Sequence, residues 1–294
     1  VNANTFEEIL RQLYREQPTE PLYHYTSISG LLGIVPSGVL RATDVRYFSD
    51  SSELKRTVKL LQTAVASAPA SDAKISQLRE SFLAWLPDRL SELGSLVFAA
   101  SFTQQGNLLS QWRGYCEPGK GISLGFSSES LLASAASQGW KFGRCVYHPK
   151  RQQVVAAAIL RAVENLWIEE GRERVGLNRA DILFGSIEND LLHVAALMKY
   201  PAFSEEEEWR AISPIVTSYV TAPIEYRDGP STLTPYLNFK LPSAPDRIVS
   251  LDHAWIGPTP HPTNAILAVN NYLAKHRSSP RLGVGYCSIP YRTW

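Results

Sequence analysis

Two short stretches carry side chains able to do chemistry. In FSEEEEWR (203–210), an extended backbone running on to Ile212 places Glu206, Glu208, Arg210 and Ile212 on one face and Glu207, Trp209 and Ala211 on the other, because side chains alternate along a strand. Two carboxylates at this spacing, with Arg210 positioning one of them by an ion pair, are able to line a pocket. The plainer reading leaves the charges in solvent while Trp209 and Ala211 face the core. In LYHYTS (22–27), Leu22, His24 and Thr26 share one face and Tyr23 and Tyr25 the other. A lone strand histidine is commonly a hydrogen-bonded structural residue, but polar and aromatic neighbours here also suit a ligand. A third stretch, SQWRGYCEPGKG (110–121), sets Trp112, Arg113 and Tyr115 beside a glycine-rich loop. Glycines let backbone approach a ligand and aromatics offer a stacking face, although a turn with its aromatics packed on the core reads equally well.

Composition removes several classes. Of 294 residues, 44% are apolar and 19% charged, ordinary for a globular chain with a sizeable core. Lys plus Arg total 29 against 28 for Asp plus Glu, so no global field draws the chain to nucleic acid or anionic lipid. Cys116, Cys145 and Cys287 are far apart and form no metal-binding spacing, which fits three inert thiols in a reducing compartment. No apolar run approaches the roughly 18 residues that span a bilayer, and no signal-peptide layout opens the chain, so a cytoplasmic protein without a membrane partner is expected. The phosphate-loop, dinucleotide, serine-hydrolase and zinc-protease motifs are all missing.

The elements that must position these residues follow from periodicity. Thr5 and Glu8 form a capping box for an N-terminal helix over 5–17, with Phe6, Ile9, Leu10 and Leu13 at helical spacing. The spacing also predicts helices over 52–68, 76–90, 152–170, 180–199 and 262–276, with a short one near 31–35 broken at Pro36 and Gly38. Strands are expected at 22–27, at the continuous apolar run 95–102, at 121–126, and within 206–216, 235–241, 247–257 and 281–288. The run 95–102 reads as central, and the closing strand, helix, strand order reads as a crossover unit. Together these give a single α+β domain over 1–294, a mixed central β-sheet flanked by helices.

The ordered segments HYTS, FSDSSE, ASF, QWRGYCEPGKGISLGF, FSEEEEWR, WIGP and CSIPYR resemble the bacterial domain of unknown function 2971 family, over nearly the whole chain after the first helix. That family name implies no activity. The general plan, a first-strand histidine followed by Thr, a middle aromatic and a late E-x-E strand, also resembles the His-Tyr-Glu type ADP-ribosyltransferases. That likeness implies an ADP-ribosyltransferase-like fold with NAD as substrate. His24 would hold a ribose hydroxyl, Thr26 would lie at the nicotinamide amide, and Tyr25 and Arg210 would border the cofactor. Tyr115, or else Trp112, would stack on nicotinamide, with Tyr47 a further candidate. Glu208 would hold the ribose 2′-hydroxyl and Glu206 would orient the acceptor, a protein or nucleic acid, unless water replaces it. The residue after His24 departs from the small one usual in such enzymes.

Such chemistry suits a sparse set of groups. The bond to nicotinamide breaks through an oxocarbenium-like ribosyl species, as in glycoside hydrolysis, and the leaving group starts cationic and departs neutral, so no general acid and no metal is expected. Two rivals stand beside it. One is a nucleotide or nucleic-acid binding module without catalysis, using Trp112, Arg113, Arg210 and Arg292. The other is a metal-dependent nuclease using Glu206, Glu208 and His24, with Asp50 and Glu53 in support. A toxin or phage-defence role would suit a bacterial family of this kind.

Overall fold

The computed structural model of the chain describes residues 4–48, 53–91, 94–116, 119–170, 179–229 and 232–288. Among these, ten strands form one open sheet flanked by helices, an α+β arrangement as expected. Its hub is β3 (Phe98–Thr103), the run read as central. One edge of β3 pairs with β6 (Glu208–Ile212), which carries β5 (Lys141–Arg144) outside it. The other edge meets β1 (Leu22–Ser27) near one end and β2 (Val39–Asp44) near the other. From β1 the sheet continues through β4 (Gly121–Phe126) and β9 (His253–Ile256) to β10 (Val284–Tyr286), and from β2 through β8 (Leu233–Lys240) to β7 (Glu225–Asp228). All pairings are antiparallel except β9 with β10, which α9 (Pro262–Lys275) joins as the expected crossover.

Both faces of the sheet are buried in its middle. On one, Leu22, Phe102, Leu124 and Trp209 lie under α2 (Ile28–Ser37), α6 (Ser128–Ser137) and α9. On the other, Ala99 and Ile212 pack beneath α1 (Phe6–Leu13), α3 (Glu53–Ser67), α4 (Ala73–Ser91), α7 (Pro149–Glu170) and α8 (Arg179–Ala195). Beside that second core a smaller cluster joins Tyr25 and Trp112 to Cys287. Each Leu or Phe fully withdrawn from water in these layers contributes about 1.5–3 kcal/mol.

Several expected boundaries move. The short helix expected near 31–35 runs over Ile28–Ser37 with Pro36 inside it, and only Gly38, in the left-handed region, ends it. The first helix ends at Leu13 rather than 17, because Tyr14 caps it and sends its hydroxyl to the carbonyl of His193 at 2.8 Å. The helix expected over 180–199 ends at Ala195, which frees Lys199 from helical register. The strand expected from Glu206 begins at Glu208, since Pro201–Glu206 form 3₁₀ turns and Glu207 sits in the left-handed region at φ 42°. Strands β2, β5 and β7 and helix α6 were not anticipated. Their apolar signals are short, and β7 is exposed along its whole length.

The packing of α2 on β1 uses Thr26. A Cβ placed on Gly30 would stand 2.0 Å from Thr26 Oγ1, so the helix approaches the strand as closely as glycine permits. Gly30→Ala is therefore expected to cost about 1–3 kcal/mol in a denaturant titration, as overpacking does, and Thr26→Ala in the same chain should recover most of it. An alanine variant as stable as the native chain would contradict this contact. No helix among the described residues is long and apolar enough to cross a membrane.

Candidate functional site

Strand β6 lies at the centre of the site. Trp209 and Ala211 face the apolar core, as alternation requires, but the opposite face is not solvated: Glu208 and Arg210 are 4% and 1% exposed. Charged groups are withdrawn from water this far only when paired. Arg210 is paired completely. Its Nη1 and Nη2 reach Glu53 Oε2 and Oε1 at 2.6 and 2.7 Å, and its Nε and Nη2 reach Glu208 Oε1 and Oε2 at 2.9 and 3.0 Å. Nη1 also donates to the carbonyl of Ala196 at 2.7 Å, where α8 has just ended. All five N–H donors of the guanidinium are thus used. Phe48 lies against its plane, 4.8 Å from ring centroid to Cζ.

Lys199 completes the cluster. Its Nζ donates to both Glu206 Oε2 and Glu208 Oε2, and the Phe203 ring stands 5.4 Å from the same nitrogen. The turn at Glu207 makes this possible: in an unbroken strand Glu206 would project one full repeat away, whereas the left-handed residue swings it back onto the same lysine. The carbonyl of Lys199 is held by the buried amide of Gln152 at 2.7 Å, and Arg56 holds that amide in turn at 3.0 Å. The hydroxyl of Tyr147 accepts the backbone N–H of Glu208 at 3.0 Å.

The electrostatics differ between the two carboxylates. Burial drives the Glu208 pKa up, but Arg210 and Lys199 outweigh it and hold the carboxyl well below the usual range, so Glu208 is an anion. Burial raises Glu206, and Lys199 offsets only part of that rise. Tyr115, the last residue of α5 (Leu109–Tyr115) and 44% exposed, lies close enough to feel the charges of the cluster. Burial and then the neighbouring Glu208 charge push its phenol up to about 12, so it remains neutral.

The expected site residues therefore divide. Glu206, Glu208, Arg210 and Tyr115 come together, joined by Lys199 and Glu53. Arg210 bridges Glu208 to Glu53 with every donor engaged. Trp112 is 4% exposed, donates Nε1–H to Asn107 Oδ1 at 2.9 Å and packs edge-on against Tyr25 at 4.5 Å, so Tyr115 rather than Trp112 offers a stacking face. Tyr25 shares its side of the sheet with Glu208 but is buried; its hydroxyl donates to the carbonyl of Gln105 and accepts from the N–H of Leu108. His24 and Thr26 do not join the carboxylates. Cross-strand register aligns Tyr23, Thr103 and Glu208 in one row, so His24 and Thr26 alternate to the side of Leu22 and α2, with Phe102 6.0 Å from the imidazole. Strand β3 separates His24 from Glu208. Tyr47 is exposed in the 3₁₀ turn after β2, while Asp50 and Arg292 lie outside the described residues.

Lys199 was missed by sequence reasoning, although a signal existed: a lone lysine directly after the apolar run VAALM. Cys116 and Cys145 are pushed up by burial, Cys116 to about 12, which fits their reading as unreactive thiols. No curated protein and no solved structure matches the chain. The match that is found runs from Gln111 to Ala211 and takes in Trp112, Tyr115, Lys199, Glu206, Glu208 and Arg210 while leaving out His24 and Glu53. Residues 111–211 match the model of the family described as protein of unknown function (DUF2971).

Proposed function

We propose that the chain breaks the bond between nicotinamide and ribose in NAD and passes ADP-ribose to a protein or nucleic-acid acceptor or to water. The observation that supports this most is the charge balance of the cluster. Among the described residues, Glu53, Glu206 and Glu208 pair only with Lys199 and Arg210, so the ionised site carries an excess negative charge there, with the half-exposed ring of Tyr115 nearby. A cationic aromatic group suits that combination, since carboxylates stabilise its charge and Tyr115 its face. The nicotinamide ring of NAD is such a group.

In the reaction the C–N electron pair leaves with the nicotinamide nitrogen, which becomes neutral. The positive charge moves to the ribosyl carbon and ring oxygen, where Glu206 and the anionic Glu208 lower its energy. An acceptor oxygen then adds to that carbon and gives up its proton to the Glu206 carboxylate, which passes it to water. Glu206 is the more exposed of the two carboxylates and the one held by Lys199 alone, which supports giving it the contact with the ribosyl group or the acceptor. The Phe203 ring lies beside Lys199, and both Phe203 and Tyr115 are exposed to solvent.

Incubation of the purified chain with NAD, with and without protein or nucleic-acid acceptors, should release free nicotinamide above a protein-free control, measured by chromatography, and chelator should not suppress it. Nicotinamide at the control level under every condition would end this reading.

A further inference from the structure

The edge of β3 that faces β1 and β2 is only partly paired. β1 meets it at Thr103, and β2 meets it at Ala99 and Phe98, so Ala100, Ser101 and Phe102 face a notch between the two strands. His24 fills one side of the notch, with Nδ1 2.9 Å from the carbonyl oxygen of Ser101, and burial holds its imidazole below its usual pKa. Ser101 itself is half-buried.

The other side of the notch is basic. Arg227 of β7 reaches across β8 and sets Nη2 3.0 Å from Thr43 Oγ1. Arg41, two residues from Thr43 and on the same face of β2, lays its guanidinium 5.1 Å from the centroid of the Tyr236 ring. Among the described residues neither guanidinium is in an ion pair. The acid in this patch, Glu225, accepts instead from Tyr236 Oη at 2.7 Å and Asn238 Nδ2 at 2.8 Å. Burial and then the like charge of Arg41 lower Arg227, the direction expected for a guanidinium that lacks a counter-anion. This is the reverse of the Arg210 site, where every donor is spent on carboxylate or carbonyl. Arg227 and Arg41 keep donors free, and the planar fork of a guanidinium matches the oxygens of a phosphate.

We propose that Arg41, Thr43 and Arg227 form a subsite for the diphosphate of a nucleotide. The inference rests on the NAD reading for the identity of that nucleotide. Register supplies the geometry: Thr43 pairs with Ala99, Ala99 with Ile212, and Glu208 lies four residues along β6. Two strand spacings across and four residues along put Thr43 and Glu208 roughly 16 Å apart at their backbones. Long side chains at both ends shorten that span to one a dinucleotide bridges. The diphosphate would lie at Arg227, the path would pass the notch at Ser101, and the nicotinamide ribose would reach Glu206.

The test is calorimetric titration of the full chain with ADP, for the native protein, Arg227→Gln and Arg41→Gln. Both arginines are exposed strand residues whose side chains sit outside the two cores, so the variants should fold; circular dichroism checks this. ADP should bind the native chain, with Kd raised at least tenfold in each variant, while Glu225→Gln binds as well or better. Where NAD is turned over, Arg227→Gln should raise KM for NAD and leave release from nicotinamide riboside, which lacks the diphosphate, unchanged. ADP that fails to bind the native chain, or binds both arginine variants with native affinity, overturns the subsite. A native chain that binds ADP through Arg227 yet frees no nicotinamide keeps the subsite and removes the catalytic reading. Nicotinamide release with an unaltered KM in Arg227→Gln does the opposite.

Discussion

Glu206→Gln is expected to slow nicotinamide release from NAD on the order of a hundredfold to a thousandfold, the usual loss when one preorganised stabiliser of a developing charge is removed. The same change should leave the fold at least as stable as the native one. Glu53, Glu206 and Glu208 share Lys199 and Arg210, and neutralising Glu206 leaves two carboxylates for two cations. Linkage agrees in sign. Burial raises Glu206 in the folded state, so its protonated form favours folding, and that stability is lost as pH rises through the raised value. Above that raised value the native chain has lost it, whereas glutamine never had it to lose. The acid limb of the native pH–rate profile should accordingly lie above the ordinary glutamate range, and it should vanish in whatever activity the variant retains. A variant that releases nicotinamide within about threefold of the native rate would remove Glu206 from the chemistry. Glu208→Gln is the poorer probe, because Glu208 is the partner common to both cations and its loss would weaken the fold along with the activity.

Arg210→Met should be the most destabilising change near the site, costing about 3–5 kcal/mol, because it strands Glu53 and Glu208 in a buried layer and orphans the carbonyl of Ala196. For a chain of this size that corresponds to a fall in Tm of roughly 6–20 °C in a calorimetric scan. The charge arithmetic predicts a rescue. Adding Glu53→Met to Arg210→Met leaves Glu208 with Lys199, so the double variant should regain a large part of the loss, and the two changes should be strongly non-additive. A single variant within about 1 kcal/mol of native stability would show that the network is not the buried unit described here. A double variant no more stable than the single one would show that Glu53 is not held chiefly by Arg210.

The two variants separate roles that the sequence presents as one. Glu206, Glu208 and Arg210 follow one another at a spacing of two, yet Glu206 is the more exposed carboxylate and is held by Lys199 alone, Glu208 is an anchored anion and Arg210 is wholly occupied in anchoring it. Of the three, Glu206 alone is held by a single ion pair among the described residues, the one to Lys199, and makes none with Arg210.

Much of the frame was legible from local pattern. The apolar run before Phe102 marked the central strand, helical spacing marked α3, α7, α8 and α9, and alternation set Trp209 on the core side of β6 with Glu208 and Arg210 opposite. Those features depend on residues a few positions apart, whose side chains are bound to one helix face or one side of a strand wherever the element lies. What surrounds each face is another matter. Whether Glu208 met water or Arg210, whether Lys199 left its helix in time to join them, and on which side of β3 His24 would fall were decided by pairings such as Tyr23 with Thr103 and Ser101 with Arg210. Such pairings join segments about a hundred residues apart. Their register is chosen by the burial of both faces at once, and a shift of one residue would exchange the two sides. The types of charged residue available for a site were thus written along the chain, and their meeting, with an acid left over, was decided only when the sheet closed around β3.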